Sequence, residues 1–223
     1  MEIVKDLGQI LNQEEIQSIS NSIKENKNLW THESVYWGKK RINEPINFLG
    51  SPVYPAKQRP GLYRKLRPLS QQYLIDTSST MLSRVLKLLT ELHNVSTAEQ
   101  LTDTSLPGYH VMTSPQKWHR VYSYHIDRDY LEYYEEFNET VPYNFDDFYS
   151  FTVVVEVPKA GATVDFKIDD QEIKYPYTVG HAYTWKSDIF HKIGDVILDD
   201  DTDYRITFQG HFILQPDKLL YYW

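Results

Sequence analysis

His125 and Asp127 stand one residue apart, His191 follows well downstream, and Arg205 and Thr207 lie beyond it, again with one residue between them. Two imidazoles and one carboxylate form the ligand set of a facial ferrous site, which leaves neighbouring coordination positions open. Openness marks a catalytic metal, because a closed four-ligand site is structural. A guanidinium binds a carboxylate through two parallel hydrogen bonds, and a threonine hydroxyl can donate a third. Arg205 and Thr207 therefore suit the far end of a dicarboxylate cosubstrate. His-x-Asp alone is a common tripeptide; the downstream Arg-x-Thr pair supplies the discrimination.

Such residues need extended segments to present them. Residues two apart on a strand share a face, so a strand over 118–127 sets His125 beside Asp127. A strand over 204–214 does the same for Arg205 and Thr207, and Ile206, Phe208 and Phe212 make it partly buried. The competing role for Arg205 is a surface salt bridge with the acidic run Asp199 to Asp203. Further strands are predicted over 108–113, 163–168, 173–179 and 181–185. Phe151, Val153, Val155 and Val157 alternate with Thr152, Val154 and Glu156 to give another. Short strands separated by turn signals imply a sandwich or barrel.

The first hundred residues read differently. Asn12 can cap a helix reaching about Lys27, with Ile16, Ile19 and Ile23 as its apolar stripe. Prolines and glycines punctuate 30–65, which reads as a long irregular region. A stronger helix is expected over 78–93, where Leu82, Val85, Leu86, Leu89 and Leu92 recur at helical spacing. So apolar a helix should lie on a sheet face. The expected organisation is one domain over 1–223, mainly β with supporting α-helices. Residues 1–105 would form helical and loop support, and 106–215 the β core.

Composition narrows the function. The chain has 223 residues, a formal net charge of −8 and no cysteine. Disulfides, thiolate metal sites and cysteine nucleophiles are excluded. The acidic balance offers no general attraction to nucleic acid or anionic membranes. The basic cluster from Lys57 to Arg67 reads as a solvated loop and helix start. Without a secretory signal pattern or a run of about 20 apolar residues, a cytoplasmic location is expected, with no membrane partner. Among the remaining histidines, His119 shares the alternation face of His125 and could line a pocket. His110, His181 and His211 read as sheet histidines, with His211 the best placed because it shares a face with Arg205. Trp118 and Trp185 read as core or pocket walls.

Taken together, Tyr122-Ser123-Tyr124-His125-Ile126-Asp127, His191 and Arg205-Ile206-Thr207 resemble the pattern of the Fe(II)/2-oxoglutarate-dependent dioxygenases. The stretches 150–166 and 179–193 resemble that family's core strand and its Gly-x-Ala strand leading to the distal histidine. The resemblance covers about Gly108 to Leu214. It implies a double-stranded β-helix, a jelly-roll variant. It further implies that His125, Asp127 and His191 ligate Fe(II), while Arg205 and Thr207 hold 2-oxoglutarate. Tyr122 matches the tyrosine of the Tyr-x-x-His-x-Asp string in prolyl-hydroxylase-like members and joins the cosubstrate set. The stretch 114–120 replaces that branch's glycine turn, so no prolyl substrate is assigned. The implied reaction consumes O2 and 2-oxoglutarate, hydroxylates a C–H bond of a protein side chain or small metabolite, and releases succinate and CO2. Asp127 argues against a halogenase, which needs a small residue there. The alternatives are a cupin-like metalloenzyme that does not use 2-oxoglutarate and a catalytically silent jelly-roll binding module.

Overall fold

The computed structural model describes residues 3–32, 46–53, 60–113, 116–118, 124–135, 142–159 and 162–223. Its centre is one large sheet built on the alternation visible in the sequence. Strands β1 (Lys5–Gln9), β2 (Thr31–His32), β3 (Ile46–Leu49), β5 (Gly108–Thr113), β7 (Phe148–Glu156), β10 (His181–Lys186) and β13 (Tyr204–Leu214) run in the order β1-β10-β7-β13-β5-β3-β2. Two more strands, β14 (Lys218–Tyr222) and β4 (Thr97–Gln100), extend it beside β13. Facing it is a smaller layer. Strands β11 (Phe190–Ile193), β8 (Thr163–Ile168) and β9 (Gln171–Pro176) form one sheet, and β12 (Val196–Leu198) pairs with β6 (Gln116–Trp118). All pairings are antiparallel except β14 with β4. The architecture is a double-stranded β-helix.

The first hundred residues add strands as well as helices, since β1, β2 and β3 all join the large sheet. The first helix, Gln13–Glu25, is stopped two residues before the expected Lys27. Asn12 Oδ1 accepts the Glu15 N–H and the Glu15 carboxylate accepts the Asn12 N–H, both at 2.9 Å, a capping box. Ile16, Ser20 and Ile23 are its buried face. Ser20 and Lys24 both bond the Glu156 carboxylate, which ties the helix to the end of β7.

The second helix, Pro60–His93, starts far upstream of the expected residue 78. It occupies the end of the region read as irregular. Pro60 is its first residue, where a missing N–H costs nothing, and Pro68 is carried inside it. Tertiary packing outweighs the breaker signal. Ser70, Leu74, Ser78, Met81, Val85 and Leu89 form a continuous buried stripe. Leu92, expected on that stripe, is exposed.

Alternation then sorts the large sheet. Phe151, Val153, Val155, Ile206, Phe208, Tyr109 and Val111 pack against the two helices in one hydrophobic cluster. The opposite face looks into the barrel. There Val154, Val164, Phe166, Tyr183 and Trp185 form a second cluster. Trp223 packs into a slot that only glycine leaves open. A Cβ on Gly50 or Gly108 would meet its ring at 2.4 or 2.2 Å. The same indole lies 5.6 Å from the His110 ring.

The expected strand over 118–127 is described only at its two ends, Trp118 closing β6 and residues 124–127 beyond the gap. Residues 119–123 lie outside the described residues, and 124–127 hold only a single bridge pair, His125 with His191, followed by a bend at Asp127. No described helix is long and apolar enough to cross a membrane.

Candidate metal centre and cavity

His125 and His191 face each other across two backbone hydrogen bonds. The His125 N–H donates to the His191 carbonyl at 3.0 Å, and the His191 N–H returns the bond at 2.9 Å. That bridge continues the ladder of β11, so the two imidazoles lie with centroids 4.6 Å apart. Asp127 reaches the same place by leaving the ladder. Its N–H donates to the Ser187 carbonyl at 2.9 Å, in the turn after β10. His125 Nε2 lies 3.7 Å from Asp127 Oδ1, and His191 Nε2 lies 3.2 Å from Oδ2. One ligand atom from each of the three residues falls within 4.8 Å of the others.

This donor set fits a divalent ion. Neighbouring ligand atoms on an octahedral ion with bonds of about 2.1 Å sit about 3 Å apart, close to the two distances above. His191 Nδ1 donates to the Ile189 carbonyl at 2.8 Å, so the Nε2 lone pair faces the cluster. Burial disfavours the Asp127 carboxylate, but His191, His211 and His125 outweigh it and hold its pKa well below the usual carboxylate range. Burial likewise opposes the charged form of His191, and Asp127 more than offsets it, leaving that pKa above the ordinary value. The carboxylate is thus ionised and available to a cation.

A cavity of about 500 Å³ opens from the cluster. His125, Asp127 and His191 line it, and so does Arg205 on β13. Arg205 is 1% exposed. Its Nε has no hydrogen-bond partner, and no carboxylate pairs with it among the described residues. The acidic turn is engaged elsewhere, since Lys159 takes Asp200 at 3.0 Å and Asp203 at 3.6 Å. A buried, uncompensated cation is costly, and an anionic ligand would relieve it. Burial lowers the Arg205 pKa, and the Tyr177 ring beneath it, 5.6 Å away, works in the other direction. Arg205 Nη1 and Gln209 Nε2 both donate to Thr207 Oγ1, at 3.4 and 3.2 Å. This leaves the Thr207 hydroxyl proton for another acceptor. Arginine and threonine are therefore brought together, and Arg205 shares one cavity with the His-Asp-His cluster.

Tyr122 and His119 lie outside the described residues. His211, the best placed of the sheet histidines, lines the cavity, and His110 lines it too. His181 instead faces Asp6 at 3.2 Å. Trp185 is a cavity wall as well as core. Sequence reasoning missed Tyr177, Ser150 and Ser187. The alternation of β7 places Ser150 on the same face as Thr152 and Val154, which was the available signal.

No protein-family model matches the chain, and no curated protein is detectably similar to it in sequence. Solved structures do share its shape. An N-substituted L-amino acid dioxygenase from Burkholderia ambifaria superposes with a TM-score of 0.51 at 11% identity, over 85% of this chain and 81% of that one. The same enzyme in complex with alpha-KG gives 0.52 at 11% identity, over 86% and 81%. The non-heme alpha ketoglutarate dependent epimerase SnoN from nogalamycin biosynthesis gives 0.53 at 11% identity, over 95% and 79%. In fold, this chain is a double-stranded β-helix of the kind found in 2-oxoglutarate-dependent non-heme oxygenases.

Proposed function

We propose that the chain is an Fe(II)- and 2-oxoglutarate-dependent dioxygenase that hydroxylates a C–H bond of a protein side chain or small metabolite. The observation that carries this reading is a buried arginine without a carboxylate partner among the described residues, opening into the same cavity as the His-Asp-His cluster. His125, Asp127 and His191 would hold the iron. The metal supplies redox chemistry by which O2 is shared between substrate and 2-oxoglutarate, giving hydroxylated product, succinate and CO2. Arg205 binds the distal carboxylate through its planar fork, and Thr207 donates its free proton to the same group. Tyr122 is a further cosubstrate candidate by resemblance. Tyr177 lines the cavity beside the Arg205 guanidinium, while Trp185 and Phe166 pack against the His191 ring and back the metal ligand. The substrate enters over the rim formed by Arg128, Asp129, Glu132, Phe190 and Lys192.

Support from the fold is coarser than this. The alpha-KG complex belongs to the Burkholderia enzyme, and a dioxygenase and an epimerase share the architecture. The cupin-like alternative gives Arg205 no task, which disfavours it. Anaerobic titration with Fe(II) and then 2-oxoglutarate should produce a weak visible charge-transfer band that depends on both additions. A folded protein giving no band would overturn the assignment. Succinate release screened over amino acids, peptides and metabolites, with product mass read in parallel, separates hydroxylation from isomerising chemistry.

A further inference from the structure

Behind Asp127 lies a polar network that the metal and cosubstrate roles leave unused. Ser150 Oγ donates to Asp127 Oδ2. The same Oγ lies 3.0 Å from Ser187 Oγ and 3.1 Å from His211 Nδ1. A hydroxyl has one proton and two lone pairs. With its proton directed at the carboxylate, Ser150 accepts from the Ser187 hydroxyl and from the His211 Nδ1–H. Both neighbours are anchored. Ser187 is fully buried, and its carbonyl is the acceptor for the Asp127 N–H. His211 sits opposite Ser150 in the β13–β7 ladder and packs against Tyr222 at 5.3 Å.

The last torsion of an aspartate is broad and two-fold. Asp127 sits on a bend rather than in a ladder, so its backbone does little to restrict that torsion. We propose that Ser150, backed by Ser187 and His211, is the positioning residue that fixes the plane of the Asp127 carboxylate for divalent-metal binding. The proposal rests on His125, Asp127 and His191 being a metal site. It adds that the large sheet, which supplies none of the three, controls how well they bind.

The test uses the full chain and Co(II), followed by calorimetry and by the visible spectrum of the bound ion. Wild type should bind one Co(II). Ser150→Ala should lose about tenfold to a hundredfold in affinity, the usual effect of removing an outer-shell partner, and its Co(II) bands should shift. His211→Asn keeps a donor near the Nδ1 position and should stay within about threefold of wild type, whereas His211→Phe should fall by about tenfold or more. The His211 pair reads the same network should Ser150→Ala fail to fold. Wild-type affinity and spectrum in Ser150→Ala, or equal losses in the two His211 variants, would overturn the positioning role while the metal reading stands. A folded wild type that takes up no Co(II) would overturn the metal reading and this inference with it.

Discussion

The two walls of the barrel are held in opposite ways. The large sheet is backed by two helices, and its outer face disappears into the main hydrophobic cluster. The side chains of β9 in the small sheet are mostly exposed, with no such cover among the described residues. The candidate site residues are divided between them. The thin wall presents His125 and His191 through a single bridge pair. The thick wall presents Arg205, Thr207, Ser150 and His211 from β13 and β7. Asp127 spans the gap, with its backbone bonded to Ser187 and its carboxylate beside His191. The contrast teaches that Arg205 and Thr207, the proposed cosubstrate anchors, stand on the better supported wall, whereas His125 is joined to His191 by one bridge pair and to the thick wall only through Asp127.

Removing that bridge should have the largest effect. Asp127→Ala should lower retention of Fe(II) or Co(II) by about a hundredfold or more, read as metal content after desalting. Retention at the wild-type level would show that the two imidazoles need no link to the thick wall. Stability gives the next contrast. Phe208→Ala, at 0% exposure on β13, should cost about 3–5 kcal/mol in urea unfolding. Ile173→Ala, on exposed β9, should stay within about 0.5 kcal/mol. Similar costs at both positions would erase the distinction between the walls.

Arg205→Ala should weaken 2-oxoglutarate binding by about tenfold to a hundredfold, the loss of a charge-assisted pair worth roughly 1.5–3 kcal/mol. Metal affinity should be unchanged, as calorimetry of each ligand in turn would show. Equal loss of both ligands would mean that the two ends of the cavity are not independent.

A further contrast concerns pH. Burial, with Arg205 adding to it, pushes the His110 pKa down to about 3. The folded value lies below the unfolded one, so the unfolded chain takes up a proton first as pH falls. Stability from the neutral ring is complete above the ordinary histidine range of about 6.5 and drains away toward pH 3. His110→Asn should flatten the fall in Tm over that window. A slope identical to wild type would assign the acid sensitivity to the carboxylates.

What could be read in the sequence follows the same division. Strands β5, β8 and β13 match their expected bounds because one buried face imposes a strict two-residue period. Arg205 and Thr207 inherit that clarity. His125 and Asp127 do lie side by side, but within 124–127 a bridge and a bend stand where an extended strand was expected to align them. Nothing in a tripeptide signals a bend set by Ser187, which is distant in sequence. The start of the second helix was hidden because Pro60, Gly61 and Pro68 speak locally for a break, whereas the decisive contacts of Ser70 and Leu74 are long-range. Alternation could have put Ser150 on the inward face of β7, but neither it nor Ser187, which lies in a turn, signals a contact with Asp127 until the fold brings the three together.

Trp223 has a reach larger than its own contacts suggest. It fills the space beside Gly50 and Gly108 and stands against His110, a residue of the cavity wall. Adding one methyl group at residue 108 would displace the indole, and the strain would pass to the imidazole that lines the cavity. Two glycines that do not themselves line the cavity thus help set its dimensions, and if the cavity takes 2-oxoglutarate as proposed, substitutions there should alter its binding.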